Sequence, residues 1–306
     1  MAHAGAPGRR GSSFASLKFA PAPRRDLPRL PVPSAFVRIF SDLHHGDRAS
    51  RLPSLAAIAP LLDGPERILF NGDTIDTRPS RHPSHGAALR ADVDAFLRRG
   101  SPPVAFLTGN HDPDISLTHA VELAGGAVFV THGDAIFDDI VPWSQDAPLG
   151  RRLLAEELAH EPPAARATLE GRFAAVRRAA ARIPQRHQSE PHGLKYTLGF
   201  LADTVWPPLR VLSVLRAWRE APGRAEALMR LHRPRARFFV MGHTHRRGVA
   251  RAPGGLIVVN TGAFCPPTGP GVVDVSADRL VLRAVERRGG EFRLGGVLAD
   301  FALAGA

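Results

Sequence analysis

The sequence predicts an α/β protein with a sheet rich in parallel strands, a second sheet beside it and a helical insertion, and three observations predict it. Short apolar runs such as Arg67-Ile68-Leu69-Phe70 and Val104-Ala105-Phe106-Leu107 recur with helical stretches between them, the alternation expected of βαβ units. These runs empty into polar loops, Gly72-Asp73-Thr74-Ile75-Asp76 and Gly109-Asn110-His111-Asp112, and an open α/β sheet carries its chemistry at such strand ends. Between Ile136 and Arg237 helical periodicity replaces the short runs, after which strand texture returns.

At 306 residues and 44% hydrophobic, the chain has room for one sizeable core with an inserted unit. No run reaches the eighteen or more apolar residues that cross a bilayer, and the N-terminus lacks the apolar centre of a secretion signal, so a cytoplasmic protein is expected. The single cysteine, Cys265, excludes an intrachain disulfide. A formal charge of +11 suits nucleic acid, an anionic membrane surface or a phosphorylated substrate. Yet lysine stands only at 18 and 195 and every other basic residue is arginine, which reads equally as compositional bias.

Residues 1–34 are rich in Pro, Ala, Gly and Arg, with Asp26 the one acid; this basic tail is expected to be disordered, for it has few bulky apolar groups to offset ordering entropy. A core is expected over 35–140 and 237–300. It opens with Phe36-Val37-Arg38-Ile39-Phe40, which runs into Ser41-Asp42-Leu43-His44-His45-Gly46. The two runs named above follow, with a helix expected over 87–99 on the spacing of Leu89, Val93, Phe96 and Leu97. Ala127-Val128-Phe129-Val130 leads into Thr131-His132-Gly133-Asp134.

The insertion, 141–236, has Leu169, Phe173, Val176, Ala180 and Ile183 on one helical face with arginines opposite. A second apolar stretch from Phe200 to Trp218 is read as helix core, or as the lining of a lipid-accepting groove. Strand texture returns with Phe238-Phe239-Val240-Met241, which enters Gly242-His243-Thr244-His245. Leu256-Ile257-Val258-Val259 ends in Asn260-Thr261-Gly262, a hairpin is expected around Ser276-Ala277-Asp278, and Gly289-Gly290 marks a further turn.

Taken singly these polar segments are weak signals, since a Gly-Asp turn usually just turns the chain. Taken in order they are specific: Asp-x-His, Gly-Asp-x-x-Asp, Gly-Asn-His-Asp, His-Gly and Gly-His-x-His, each directly after a strand-like run. On these residues, from Phe36 to about Phe264 without the insertion, the sequence resembles the calcineurin-like metallophosphoesterase superfamily. The resemblance implies a four-layer α/β/β/α sandwich of two mixed sheets. It implies a first metal held by Asp42, His44, Asp73 and His245, and a second held by Asp73, Asn110, His132 and His243, with Asp73 bridging.

Nitrogen and oxygen ligands without thiolate suit Mn²⁺ first, with Fe or Zn²⁺ as alternatives. Two divalent ions about 3.5–4 Å apart can hold a bridging hydroxide that attacks a phosphodiester, phosphomonoester or pyrophosphate in line. His111 is not a ligand in the family and stays free to donate a proton or hydrogen bond to the phosphate. Asp76 then orients its ring, or caps a helix instead. His45 and Arg78 are weighed as phosphate contacts or surface residues, Asp112 as a turn support, and His119 is left without a role.

Thr131-His132-Gly133-Asp134-Ala135-Ile136-Phe137-Asp138-Asp139, followed by helices, also resembles the UDP-2,3-diacylglucosamine hydrolase branch, which carries a paired Asp there and a helical lid. That branch commonly reads Gly-Asn-Arg-Asp where this chain has His111. Expected partners are therefore a phosphorylated small molecule or a nucleotide- or lipid-linked substrate, with peripheral contact to an anionic membrane, and nucleic acid is disfavoured. The alternative is a catalytically idle scaffold of the same fold that binds an acidic partner.

Overall fold

The computed structural model describes residues 36–47, 49–79, 83–98, 102–185 and 208–303; the basic tail expected at 1–34 lies outside them. The expected apolar runs form strands: β1 (Val37–Phe40), β2 (Arg67–Asn71), β3 (Val104–Leu107), β5 (Val128–Thr131), β6 (Phe238–Met241) and β8 (Ile257–Asn260). The two expected turns are hairpins that join β9 (Gly271–Val275), β10 (Arg279–Arg288) and β11 (Glu291–Ala302). Two short strands were not anticipated, β4 (Ala120–Leu123) and β7 (Gly248–Arg251). The helices are α1 (Pro83–Leu97), α2 (Ala147–His160), the single turn α3 (Pro163–Arg166), α4 (Leu169–Ala181) and α5 (Pro208–His232).

The strands make two mixed sheets. The first runs β11-β10-β9-β1-β2-β3 and the second β4-β5-β6-β8-β7. In the first, β1, β2 and β3 are parallel; in the second, β5, β6 and β8 are parallel. Apart from the half-buried edge strand β3, these parallel strands are largely buried on both faces, which is why they read as continuous apolar runs rather than alternating ones.

Alternation along the strands assigns side chains to layers. Val37, Ile39, Leu69, Val130, Val240, Val259, Val273 and Leu282 meet between the sheets. Phe40, Ile68 and Phe70 face the other way, onto Ile58 and Leu61 of the 3-10 segment Leu55–Leu61 and onto Leu89, Val93 and Phe96 of α1. Phe129, Phe239, Met241 and Val258 cover the outer face of the second sheet and pack on Leu153 and Leu154 of α2, Phe173 and Val176 of α4, and Ala217, Ala221, Ala225 and Met229 of α5. The order is helix, sheet, sheet, helix, and the inserted helices supply the layer over the second sheet.

The face expected for Leu169, Phe173, Val176, Ala180 and Ile183 is buried throughout. The stretch expected as core from Phe200 to Trp218 is only partly so. Residues 200–207 lie outside the described part, and Val211, Leu212 and Leu215 on α5 are exposed. The core face of α5 begins at Ala217, where small alanines let the helix lie close to the sheet.

Candidate metal centre

The loops leaving β1, β2, β3, β5 and β6 converge at one end of the sandwich. Backbone bonds stitch the first two together beyond the strands: Asp42 N donates to Gly72 O at 3.1 Å, His44 N to Asp73 O at 2.9 Å and His45 N to Thr74 O at 2.9 Å. Asp112 ties the third loop to the second. Its Oδ1 accepts from Gly109 N at 2.8 Å and Asp73 N at 3.0 Å, and its Oδ2 from Thr74 N at 2.7 Å. Burial and the Asp73 carboxylate together push the Asp112 carboxyl up to about 7. Its role is wider than the turn support expected of it.

Asp42, His44, Asp73, His243 and His245 all hold left-handed backbone, with φ of 53°, 47°, 52°, 62° and 56°. Such angles cost non-glycine residues about 1–3 kcal/mol each and persist where the surroundings enforce them, as at functional sites. The glycines beside these residues answer to space. A Cβ on Gly242 would stand 2.0 Å from Asp42 Oδ2, and one on Gly109 2.2 Å from Asp73 Oδ1.

Three overlapping groups result whose donor atoms lie within 4.8 Å of one another: Asp42, His44 and His245; His44, Asp73 and His111; and Asp42, Asp73 and His132. His44 Nε2 and His245 Nε2 stand 3.2 Å apart, and His245 Nε2 is 3.2 Å from Asp42 Oδ1. His132 Nε2 is 3.3 Å from Asp73 Oδ2. His243 lies against this set, its backbone N donating to both Asp42 oxygens at 3.1 and 3.0 Å and its ring edge-on to His132 with centroids 5.1 Å apart.

The imidazoles are oriented from behind. His132 Nδ1 is 3.0 Å from the carbonyl of Asn71, and His243 Nε2 is 2.8 Å from that of Ile140; a proton on each of these nitrogens leaves the other nitrogen of the ring as a lone pair. Ile140 itself holds φ of 61°, a rare angle for a β-branched residue. Trp143 and Phe137 pack on the His243 ring, with centroids at 5.0 and 5.8 Å. Burial, with His111 adding, lowers the pKa of His44 to about 4, and burial, with His132 adding, lowers that of His243 to about 3. Both rings are thereby neutral, as ligation requires.

At His132 burial opposes the charge, but Asp73 and Asp42 outweigh it and raise the pKa well above the ordinary value. The carboxylates that would hold a proton there would equally hold a cation.

A fit to divalent metal follows from buried donor atoms that the protein leaves short of hydrogen bonds. His132 Nε2 and the Oδ1 of Asn110 are buried and without a hydrogen-bond partner, a costly arrangement for polar atoms unless an ion completes it. With Asp42 and Asp73 carboxylates and several neutral imidazoles beside them, the donor set suits Mn²⁺, Fe or Zn²⁺.

His111 faces this set from the rim. Its Nε2 is 4.0 Å from Asp73 Oδ2, its Nδ1 is 2.9 Å from Asp76 Oδ2, and its side chain is 22% exposed. Asp76 does not begin a helix, α1 starting only at Pro83. It accepts from Arg78 N at 3.1 Å and is gripped by the Arg78 guanidinium, with Nε at 3.1 Å and Nη2 at 2.7 Å. Burial disfavours the Asp76 anion, yet His111 and Arg78 outweigh it and hold its carboxyl well below the usual range. Burial and Arg78 resist protonation of His111, while Asp73 and Asp76 overcome them and raise its pKa.

Arg78, weighed as a phosphate contact, engages Asp76, and its Nη2 also stands 3.0 Å from His111 Nδ1. His45 pairs with Asp92 of α1 at 3.3 Å. His119 is bonded to Thr108 Oγ1 and stacked on Phe173 with centroids 5.4 Å apart.

Further polar side chains support the ligand loops from behind. Ser41 bonds Asp42 and lies 2.6 Å from Thr261 Oγ1. Asn260 Nδ2 donates to Gly242 O at 2.7 Å and Thr244 Oγ1 at 2.9 Å. The signal for both was a polar Asn260-Thr261 at the end of an apolar run.

Fold and site together define a two-sheet α/β protein with a histidine and carboxylate metal cradle at its strand ends. The profile of the calcineurin-like phosphoesterase family (Metallophos) matches residues 37–247, and the chain belongs to that family. It is similar to a dimetal phosphatase from Danio rerio, at 16% identity and a TM-score of 0.41, over 86% of this chain and 98% of that one. It is also similar to Vacuolar Protein Sorting 29 from Cryptosporidium parvum, at 15% identity and a TM-score of 0.40, over 88% and 98%. A third similar structure is Vps29 from Entamoeba histolytica complexed with zinc, at 13% identity and a TM-score of 0.36, over 87% and 98%. No curated protein matches the chain. Among the described residues no helix is long and apolar enough to cross a membrane.

Proposed function

We propose that the protein is a dinuclear-metal-dependent phosphoric ester hydrolase. The observation that carries the reading is the convergence of Asp42, His44, Asp73, His132 and His245 on one small volume, with the buried atoms His132 Nε2 and Asn110 Oδ1 lacking a hydrogen bond. Asp42, His44, Asp73 and His245 would hold one ion, and Asp73, Asn110, His132 and His243 the other. Bound Mn²⁺, with Fe or Zn²⁺ as alternatives, would polarise the phosphoryl oxygens and supply a nucleophile at neutral pH.

The chain's own residues do the rest. His111 presents Nε2 to the cradle, while Asp76 holds the opposite nitrogen at 2.9 Å and keeps the ring protonated and aimed at the leaving oxygen. Arg78 fixes Asp76, and Asp112 holds the loops of Asp73 and Asn110 in register. The ester is a phosphodiester, phosphomonoester or pyrophosphate. A nucleotide- and lipid-linked pyrophosphate of the UDP-2,3-diacylglucosamine type is the finer reading, supported by the paired Asp138 and Asp139 before the inserted helices. An idle scaffold is the alternative, and it gains no support from a donor set in which every expected position is filled.

Purified protein supplied with Mn²⁺ should hydrolyse bis-p-nitrophenyl phosphate and lose that turnover to EDTA. Absence of turnover with Mn²⁺, Fe²⁺ and Zn²⁺ on diesters, monoesters and UDP-diacylglucosamine would leave the scaffold reading standing.

A further inference from the structure

Among the described residues, large exposed apolar side chains cluster on the N-terminal half of α5, where Val211 is 41% exposed, Leu212 59% and Leu215 50%. Spacings of three and four residues put these side chains on one face of the helix. The buried residues of the same helix, Ala217, Ala221, Ala225 and Met229, repeat every fourth position on another face. The exposed stripe is therefore not a continuation of the core.

The stripe itself carries no acid: residues 208–219 contain no Asp or Glu, and Arg216 and Arg219 are exposed beside it. Arg216 is paired with Glu220 at 2.7 Å, which Arg224 also meets at 2.9 Å, and on that side Asp138 and Asp139 share a pocket with Arg151, Arg216 and Arg224, so Arg219 is the basic group the stripe offers a headgroup. Bulky apolar residues fringed by arginine describe a helix face that lies in the boundary of an anionic bilayer, with apolar side chains among the acyl chains and guanidinium groups at the headgroups.

We propose that this face of α5 docks on an anionic phospholipid surface. A second copy of the chain fits less well, because a two-fold contact through the stripe would bring the Arg219 side chains of both copies together. Nucleic acid would match the arginines and leave the leucines in water. The net charge of +11 adds long-range attraction to the same partner.

The docking face is tied to the metal centre. One turn past Leu215, about 4.5 Å along the helix axis, Trp218 donates its Nε1–H to the carbonyl of Thr244 at 2.8 Å, between His243 and His245. A helix seated on the membrane would hold that loop close to the lipid surface.

Vesicle flotation tests the proposal with the full chain. Wild type should float with phosphatidylcholine vesicles containing 30% phosphatidylglycerol, stay behind with pure phosphatidylcholine, and release as NaCl is raised. Leu212→Ser/Leu215→Ser should weaken binding at least tenfold with an unchanged Tm, and Arg219→Ser should weaken it several-fold on anionic vesicles. The proposal is overturned if wild type does not float, or if the double variant floats as well as wild type, which would place any binding elsewhere on the chain. A concentration-dependent wild-type dimer that the double variant abolishes would also overturn it, in favour of a second copy.

Discussion

Asp73 is the residue on which the site's electrostatics turn. Burial disfavours its charge, but His132, His111 and His44 surround it and hold its carboxyl far below the ordinary range. Its Oδ1 also accepts from His111 N at 2.8 Å, so the carboxylate positions the loop that carries the proposed proton donor. His111 itself is separable from metal binding, its Nδ1 being committed to Asp76. Replacing His111 by Ala should therefore leave metal content near that of wild type and reduce kcat by 10²-fold or more, the usual contribution of a general acid. Metal analysis beside steady-state kinetics checks this; near-wild-type kcat would remove His111 from the chemistry.

At this scale the sequence was informative wherever a residue's type and order carried the signal. Asp42, His44, Asp73, Asn110, His132, His243 and His245 could all be named from spacing and resemblance, and of these the structure brings Asp42, His44, Asp73, His132 and His245 together. What could not be read was the layer behind them. The Asn71 and Ile140 carbonyls orient their histidines through the backbone, which every residue possesses, and Trp143 reaches His243 from a segment without a motif. Arg78 looked available for phosphate because its partner, two residues away, is chosen by side-chain rotamers rather than by spacing.

Among the elements, β4 and β7 escaped prediction for a physical reason: they are the two outer strands of the second sheet, each only four residues long and each carrying a charged residue, Glu122 in one and Arg251 in the other. Central parallel strands announce themselves by being apolar on both faces; edges do not. The junction of β3, β4 and α4 holds His119, whose pKa burial lowers to about 3 with Arg177 adding. An unfolded chain takes up that proton near 6.5, whereas the folded one stays neutral to much lower pH. Stability from this group is thus complete above about pH 6.5 and declines as pH falls below it, by up to ~1.4 kcal/mol per unit. Urea unfolding at pH 7.5 and 5.5 should show His119→Gln losing about 1 kcal/mol less than wild type across that interval. Parallel losses in the two proteins would show that His119 is protonated within the fold.

For the whole molecule, the division of layers explains why the insertion could be seen as helical but not placed. Its periodicity gave the faces of α4, but that α2, α4 and α5 together roof the second sheet depends on Phe129, Phe239 and Val258 presenting an apolar outer face, a property of the sheet's register. The exposed start of α5 was unreadable for the converse reason, since an apolar stripe looks the same in a core and on a docking surface. The same arrangement makes the roof part of the site, because the segment entering α2 orients His243 and α5 contacts the loop of His243 and His245. Titration calorimetry of Mn²⁺ into EDTA-stripped protein, for wild type and Asp73→Asn in parallel, tests the dinuclear cradle most directly. The account predicts two ions per chain for wild type and loss of at least one with Asp73→Asn; no binding by wild type, or two equally tight ions in the variant, would contradict it.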